Sequence, residues 1–450
     1  MAVYKDEMPR KNVEVHKKYG SVVRIGPKHV SFSSPEALQT IHGNRQAFPK
    51  SDFYKQTVAQ FEGLPLYNLF SIQDIDYHTS LKKRIGGLYT KAAVADLEPN
   101  IDACLKVFKS ELQKMTQEGP ASIDMSLWVH LFSFDCLGEL NISKPFGFLK
   151  SGTDITGWIR GSDRLLIMTG LYAQAPFLQW IQKMMEAVWG MRKTNPILLK
   201  TSSLVQERIK MPTSAPDMLN KFLNLQESQP DKITRREITG SVYINLMAGH
   251  DVLAVTIRAI LYYVARTPSV EAKLRDEIAA LSSRYTASEL IPYSALMDLK
   301  YLDAVINESL RIHGNLGLVN ERVVPKGGAV IEGYKLPAGT IVGINPWVIH
   351  RNPEIFGPDV EVFRPARWID SPEEQINEMK RNLFSFGAGP RMCIGKNIAM
   401  MQICKFIVEF YRAFDAKLSH PEQEWHVVGN WVTKQSNMDM EITQHKETLS

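Results

Sequence analysis

Near its C-terminus the chain runs Phe384-Ser385-Phe386-Gly387-Ala388-Gly389-Pro390-Arg391-Met392-Cys393-Ile394-Gly395. Glycines at 387, 389 and 395 and a proline crowd one thiol, a composition that bends backbone into a tight turn. A helix-like segment follows Gly395, so Cys393 stands just before a helix N-terminus. Exposed N–H groups at such an end favour negative charge and bias the sulfur toward thiolate. Arg391 adds a positive charge nearby. The segment reads as a turn that presents one sulfur anion to something large. The plain alternative is a buried thiol in a glycine turn, since free cysteine packs as a small hydrophobe.

Outward from this turn the chain is mostly helical in pattern. Ala399 to Ala413 is a helix. Upstream, Arg235 to about Ala265 is the clearest one: Thr234-Arg235-Arg236-Glu237 is a capping box, and Thr267-Pro268 closes it. About 31 residues at about 1.5 Å each make a rod of about 46 Å. It is apolar on most faces from Ile244 to Val264 and is predicted to run through the interior. Leu299 to His313 is a second strong helix. Leu97 to Thr116 and Ser126 to Leu140 also read as helices, and Ile159 to Val188 is aromatic- and Met-rich at helical spacing, either core or a ligand-access face. Strand signals are confined to a hairpin over Ser21 to Ser33, to Arg322–Asn345 and to Val427–Ile442. Strands near both ends with helices between them predict one interwoven unit over residues 1–450, mainly α with a smaller β portion.

Composition sets bounds. The chain has 450 residues, of which 44% are hydrophobic and 22% charged, which is enough to build a large core. A net charge of +5 is too mild to imply nucleic acid. Cys104, Cys136, Cys393 and Cys404 show no paired or metal-type spacing, which suits a reducing compartment. Cys104, Cys136 and Cys404 sit in apolar helical stretches and read as core. No stretch reads as apolar enough to span a bilayer; Leu165 to Ile181, the nearest, is broken by Thr169, Gly170, Gln174, Pro176 and Gln179. The polar opening Tyr4-Lys5-Asp6-Glu7 is no signal peptide.

Phe386, Gly389, Arg391, Cys393 and Gly395 match the haem-binding signature of the cytochrome P450 superfamily, Phe-x-x-Gly-x-Arg-x-Cys-x-Gly, at every fixed position. The resemblance extends over Leu299 to Arg311 and over Pro337 to Trp347 with His350-Arg351, where the chain is similar to filamentous-fungal members, relatives of pisatin demethylase among them. It implies the cytochrome P450 fold, with a long central helix over haem b. It also implies Cys393 as the iron's thiolate ligand, of the class that favours O–O cleavage. Other implied partners are O2, a small hydrophobic substrate and NADPH-cytochrome P450 reductase. Basic residues at Lys380, Arg381, Lys396 and Lys405 are candidate reductase contacts. Eukaryotic members usually begin with a membrane helix and a proline-rich hinge. Neither is read here, so the expectation is a soluble chain whose anchor is missing, and a full-length protein on the cytoplasmic face of the endoplasmic reticulum membrane.

The resemblance assigns further residues one by one. Glu308 and Arg311 share a helix face and, with Arg367 from Phe363-Arg364-Pro365-Ala366-Arg367, imply a structural triad that locks the cysteine loop. His78 and Lys82, one turn apart on a short basic helix, imply contacts to a haem propionate, and Arg322 another. On the long helix, Ala248-Gly249-His250-Asp251-Val252 stands where the family has Ala/Gly-Gly-x-Asp/Glu-Thr over the iron. There the glycine is expected to open the helix, and the acid and hydroxyl to order the water that supplies protons. Val252 has the shape of threonine without its hydroxyl, and Thr256 lies one turn further on. His250 reads more readily as a core or groove histidine than as a catalytic one. Without the hydroxyl, protons need another water path or a substrate hydroxyl, or the oxidation ends in coupling, ring closure or desaturation.

Expected substrate walls are the Phe53 to Phe70 loop, the Leu165 to Ile181 lid, the Ile244 to Val252 face, the Gly314 to Val319 turn and the Gly429 to Thr433 loop. Phe53, Tyr54, Phe61 and Trp431 favour an aromatic or polycyclic guest. Two other functions stay open: a reductase-independent peroxygenase or isomerase, and a haem-binding sensor without catalysis.

Overall fold

Thr234 starts the long helix, Arg235–Ala265. Its side chain accepts from the Glu237 N–H at 3.2 Å, and the Glu237 carboxylate accepts from the Thr234 N–H at 2.9 Å, which is the predicted capping box. The computed structural model describes residues 7–43, 48–175, 177–178, 181, 184–185, 195–429 and 431–445. Toward its C-terminal end the long helix is buried on most faces. Ile257, Ile260, Leu261 and Val264 are fully buried, each stabilising the fold by about 1.5–3 kcal/mol. Helices Met125–Ile142, Lys300–Ile312 and Lys396–Ala413 pack around it. By composition this rod is apolar enough to cross a bilayer, contrary to the sequence reading, but 67% of its most apolar window is buried inside the molecule.

The middle of the rod behaves differently. Ile244, Ala248 and Val252, spaced four apart, face a cavity rather than packed side chains. Gly249 does not open the helix, which runs unbroken past it. A Cβ at 249 would lie 2.9 Å from the Leu137 methyls, so glycine there lets helix Met125–Ile142 approach closely.

The β portion ties the ends of the chain together. Strands β1 (Val22–Gly26) and β2 (His29–Phe32) form the predicted hairpin. With β3 (Asn320–Val323) and β4 (Ile341–Ile344) they make a sheet in the order β1-β2-β4-β3, in which β2 and β4 run parallel. A second sheet places Asp439–Gln444 between Phe414–Leu418 and Ala121–Asp124. The molecule is therefore mainly helical with small sheets, as the sequence predicts. Cys104, Cys136 and Cys404 are buried core residues. Much of the expected Ile159–Val188 segment is helix Trp158–Gln174; residues 176, 179–180, 182–183 and 186–188 of it lie outside the described residues.

Candidate active site

The cysteine turn is fixed from several directions. Gly387 and Gly389 have φ of +71° and +61°, and a Cβ at 389 would sit 1.9 Å from the His42 carbonyl oxygen, so a side chain is excluded there. The Cys393 N–H donates to the Phe386 carbonyl at 2.8 Å. The Ser385 hydroxyl donates to the Leu310 carbonyl at 2.8 Å, and the Phe384 N–H donates to His350 Nε2 at 2.8 Å. Helix Lys396–Ala413 starts directly after Gly395. The Cys393 thiol, deep in the molecule, is open to an internal cavity of about 970 Å³, at the top of the range for ligand pockets. Burial pushes the thiol pKa above its ordinary value; the Gly395 N–H and the Lys82 and Lys396 charges offset only part of this. The expected thiolate bias is thus outweighed by desolvation in the protein's own field.

One wall of the cavity is cationic. His78, Lys82, Arg322 and Arg391 line it. Lys82 Nζ donates to the Pro390 carbonyl at 2.6 Å, which holds the turn against helix Ile75–Ile85. Arg322 donates to the Glu321 carbonyl at 2.7 Å. Arg391 does not pair with the thiol. It donates to the Ile72 carbonyl and, at 3.0 Å, to that of Gln73, and burial and the Arg322 charge lower its pKa to about 10. Burial, then the charges of Arg391, Lys50, Lys82 and Arg322, lower His78 to about 3, so it is neutral. Lys50, which sequence reasoning missed, completes this wall. Among the described residues none of Lys50, Lys82, Arg322 and Arg391 pairs with a carboxylate, and the acids that line the cavity, Glu62 and Asp251, have partners of their own. A thiol on one wall and uncompensated cations on another fit a metalloporphyrin that carries two carboxylates.

On the long helix, Ala248, Gly249, Asp251 and Val252 border the cavity, and His250 does not. The His250 ring is fully buried, 4.1 Å from the ring of Phe134, and its Nδ1 bonds the Leu246 carbonyl at 2.8 Å. Asp251 is 3% exposed. Its carboxylate accepts from the Ser162 hydroxyl at 3.1 Å, lies 3.1 Å from His250 Nε2 and 3.2 Å from His130 Nε2, and pairs with Lys434. Burial favours the neutral acid, but His250, Lys434 and His130 outweigh it and hold Asp251 well below the usual carboxylate range. The donor atoms of His130, His250 and Asp251 lie within 4.8 Å of one another. The Lys434 ammonium already occupies the cation's place against that carboxylate, so the cluster is an ion-pair network and not a metal site. A second cavity of about 370 Å³, lined by His130, Asp163, Arg258 and Lys434, opens behind it. The Thr256 hydroxyl is committed: it donates to the Val252 carbonyl at 2.9 Å and accepts from Asn315 Nδ2 at 3.1 Å.

The expected triad forms and is wholly buried. Arg311 bonds both oxygens of Glu308 at 2.8 and 2.9 Å, and Arg367 Nε reaches them at 3.0 and 3.1 Å. Its link to the cysteine turn is His350, whose Nδ1–H donates to the Arg311 carbonyl at 3.1 Å while its Nε2 accepts from Phe384. Lys405, expected near a reductase, is instead 0% exposed and paired with Glu98 and Asp102; Lys380, Arg381 and Lys396 are exposed.

All the expected wall segments contribute to the cavity, through Tyr54 and Phe70, Leu166 and Thr169, the long-helix face, Asn315 and Leu316, and Trp431 with Val432. Phe53 stands behind this wall, packed edge-on against Tyr54 and Trp431, and Phe61 lies under Arg236. Lid residues 176, 179 and 180 and loop residue 430 lie outside the described residues. Tyr89, Leu137, Asn141 and Tyr243 also line the cavity; only the folded packing brings them there.

The family described as Cytochrome P450 matches residues 1–441. The chain is 31% identical to a cytochrome P450 monooxygenase, cicH, of Emericella nidulans, over 93% of this chain and 85% of that protein. It is 33% identical to a cytochrome P450 monooxygenase of Aspergillus terreus, over 89% of this chain and 84% of that protein. It is also 33% identical to a pisatin demethylase of Fusarium vanettenii, over 94% of this chain and 81% of that protein.

Proposed function

Since this chain belongs to the cytochrome P450 family of haem-iron monooxygenases, we propose that Cys393 is the thiolate ligand of haem b and that residues 1–450 act as one catalytic unit. When bound, the haem supplies the iron at which O2 is activated against a small substrate. The observation that carries this reading is the Cys393 thiol open to a cavity on whose other wall stand cations that, among the described residues, pair with no carboxylate. Phe386, Gly389, Arg391 and Gly395 shape the turn, and His78, Lys82 and Arg322 would hold the porphyrin's propionates. His78, being neutral, serves there as a hydrogen-bond donor and not as a charge.

The aromatic and apolar walls, Tyr54, Phe70, Leu166 and Trp431, support an aromatic or polycyclic natural product as substrate, in fungal secondary metabolism. Ala248 leaves the reacting face free of bulk, and Gly249 seats the long helix against Leu137. Asp251 is the acid nearest that face. Its protons come from behind the helix, by way of Lys434 Nζ, which touches both Asp251 and the second cavity. This path stands in for the hydroxyl that Val252 lacks. Electrons come from a redox partner, which we take to be NADPH-cytochrome P450 reductase at the endoplasmic reticulum membrane, docking where Lys380, Arg381 and Lys396 are exposed.

The test is the purified chain loaded with haemin, reduced and exposed to carbon monoxide. A thiolate-type Soret band, abolished in Cys393→Ala, is the expected result; a histidine-type band or no pigment overturns the assignment. The clamp of Lys434 on Asp251 favours a second reading, peroxide use without a reductase. Turnover with peroxide alone at a rate equal to that with reductase and NADPH would establish it.

A further inference from the structure

The chain has two buried lysines whose surroundings contrast. Lys405 is 0% exposed, its ammonium paired with Glu98 and Asp102 and bonded to the Ile291 carbonyl at 3.1 Å. Every part of its charge is answered by the protein. Lys50 is 6% exposed, and among the described residues no carboxylate pairs with it. Its ammonium donates to one carbonyl, that of Phe70, and rests 4.4 Å from the centre of the Tyr54 ring and 4.5 Å from that of Phe70. One carbonyl and two ring faces leave donors unanswered. The charges that act on it are cations, Arg322 and Arg391, and burial first, with them behind it, pushes the Lys50 pKa well down. A lone buried ammonium among like charges is destabilising unless an anion joins it. Unlike Lys405, Lys50 lines the large cavity. An antiparallel bridge between the Lys50 and Arg322 backbones sets the two cations side by side on its wall.

We propose that Lys50 is a carboxylate-binding residue of this cavity, with the Tyr54 and Phe70 rings as its flanks. Two carboxylates can reach it: a propionate of the cofactor, or the acid group of an aromatic substrate lying against Tyr54, Phe70 and Trp431. The proposal rests on the haem reading above only for the first source. A structural lysine that merely staples residues 50 and 70 predicts no ligand dependence at all.

The experiment compares wild type, Lys50→Met and Lys50→Arg as haem-loaded proteins. Haem loss to excess apomyoglobin is timed with haem and with haem dimethyl ester, and benzoic-acid-class ligands and their methyl esters are titrated by the Soret spin shift. If a propionate is the partner, Lys50→Met loses haem at least about tenfold faster, in keeping with loss of a charge-assisted bond, Lys50→Arg retains it, and the gap closes with the dimethyl ester. If the substrate is the partner, haem loss is unchanged, the acids bind Lys50→Met at least about tenfold more weakly, and their methyl esters bind both proteins alike. No difference in either arm overturns the proposal. Should Lys50→Met fail to fold, Lys50→Gln keeps a donor for the Phe70 carbonyl without the charge and gives the same comparison. If wild type takes up no haem, the haem reading fails by itself, and the acid-against-ester titration, followed by tryptophan fluorescence, still decides Lys50.

Discussion

At position 252 a methyl group faces the cavity, on the side proposed above as the reacting one, where the resembled motif carries a hydroxyl. Thr256 shows what a threonine does one turn along, since its hydroxyl donates to the carbonyl four residues back. A threonine at 252 fits the same geometry with the Ala248 carbonyl and offers its oxygen to water in the cavity. Val252→Thr is expected to lower the peroxide-to-product ratio about two- to tenfold, the span set by one hydrogen bond of about 0.5–1.5 kcal/mol; an unchanged ratio in an NADPH-coupled assay shows that the second-cavity path already suffices. Single residues differ in how far the sequence exposes them. Cys393 is legible because its turn is specified locally by glycine spacing. His250 belongs to the same motif as Asp251, yet its ring turns away, and the helical period itself says so: position 250 lies on the far side from 248 and 252. Lys50 could not be found in advance, because what distinguishes it is a missing carboxylate, and only the folded chain shows which acids are absent.

Between elements, the Glu308 carboxylate joins helix Lys300–Ile312 to Arg367 at the start of the short helix Arg367–Asp370. Burial raises its pKa, and the hydrogen bonds and charge of Arg311, with Arg367 behind them, outweigh that and hold it below the ordinary glutamate value. Its contribution is therefore fully present above the unfolded-state value near 4.3 and fades as pH falls through the folded-state value. Glu308→Gln keeps the shape and strands two buried guanidiniums. It is expected to cost about 3–5 kcal/mol, read as a lower urea midpoint, with haem uptake falling because the strain passes through His350 to the turn. The carboxylate–guanidinium pair was legible from its spacing on an apolar helix. The relay was not, because the two ring nitrogens of His350 are held by partners 39 and 34 residues away.

For the molecule as a whole, titration of the core sets the acid limit. His130, His313 and His350 are each pushed down to about 3, by burial first and by neighbouring arginines or lysine after it. The unfolded chain protonates them near 6.5, so it binds more protons than the folded one below that pH. Stability is complete above about 6.5 and declines toward 3, by about 1.4 kcal/mol per histidine for each unit. Urea midpoints measured at pH 7.5, 6.5 and 5.5 are expected to fall more steeply than one proton allows; a flat profile means that these rings are not held neutral. The overall architecture was legible where periodicity is long, as in the rod Arg235–Ala265, and the closing of the sheet was not, because strand partners so distant in sequence leave no local trace. That closure has a practical reach. The pairing of β2 with β4, and the seating of Gly389 on the carbonyl of His42, mean that the Cys393 sulfur reaches its place on the cavity wall only once residues 29–42 have met residues 341–389. A chain that ends before residue 389 lacks this closure, so haem colour in a cell extract is expected to track completed folding rather than the amount of polypeptide made.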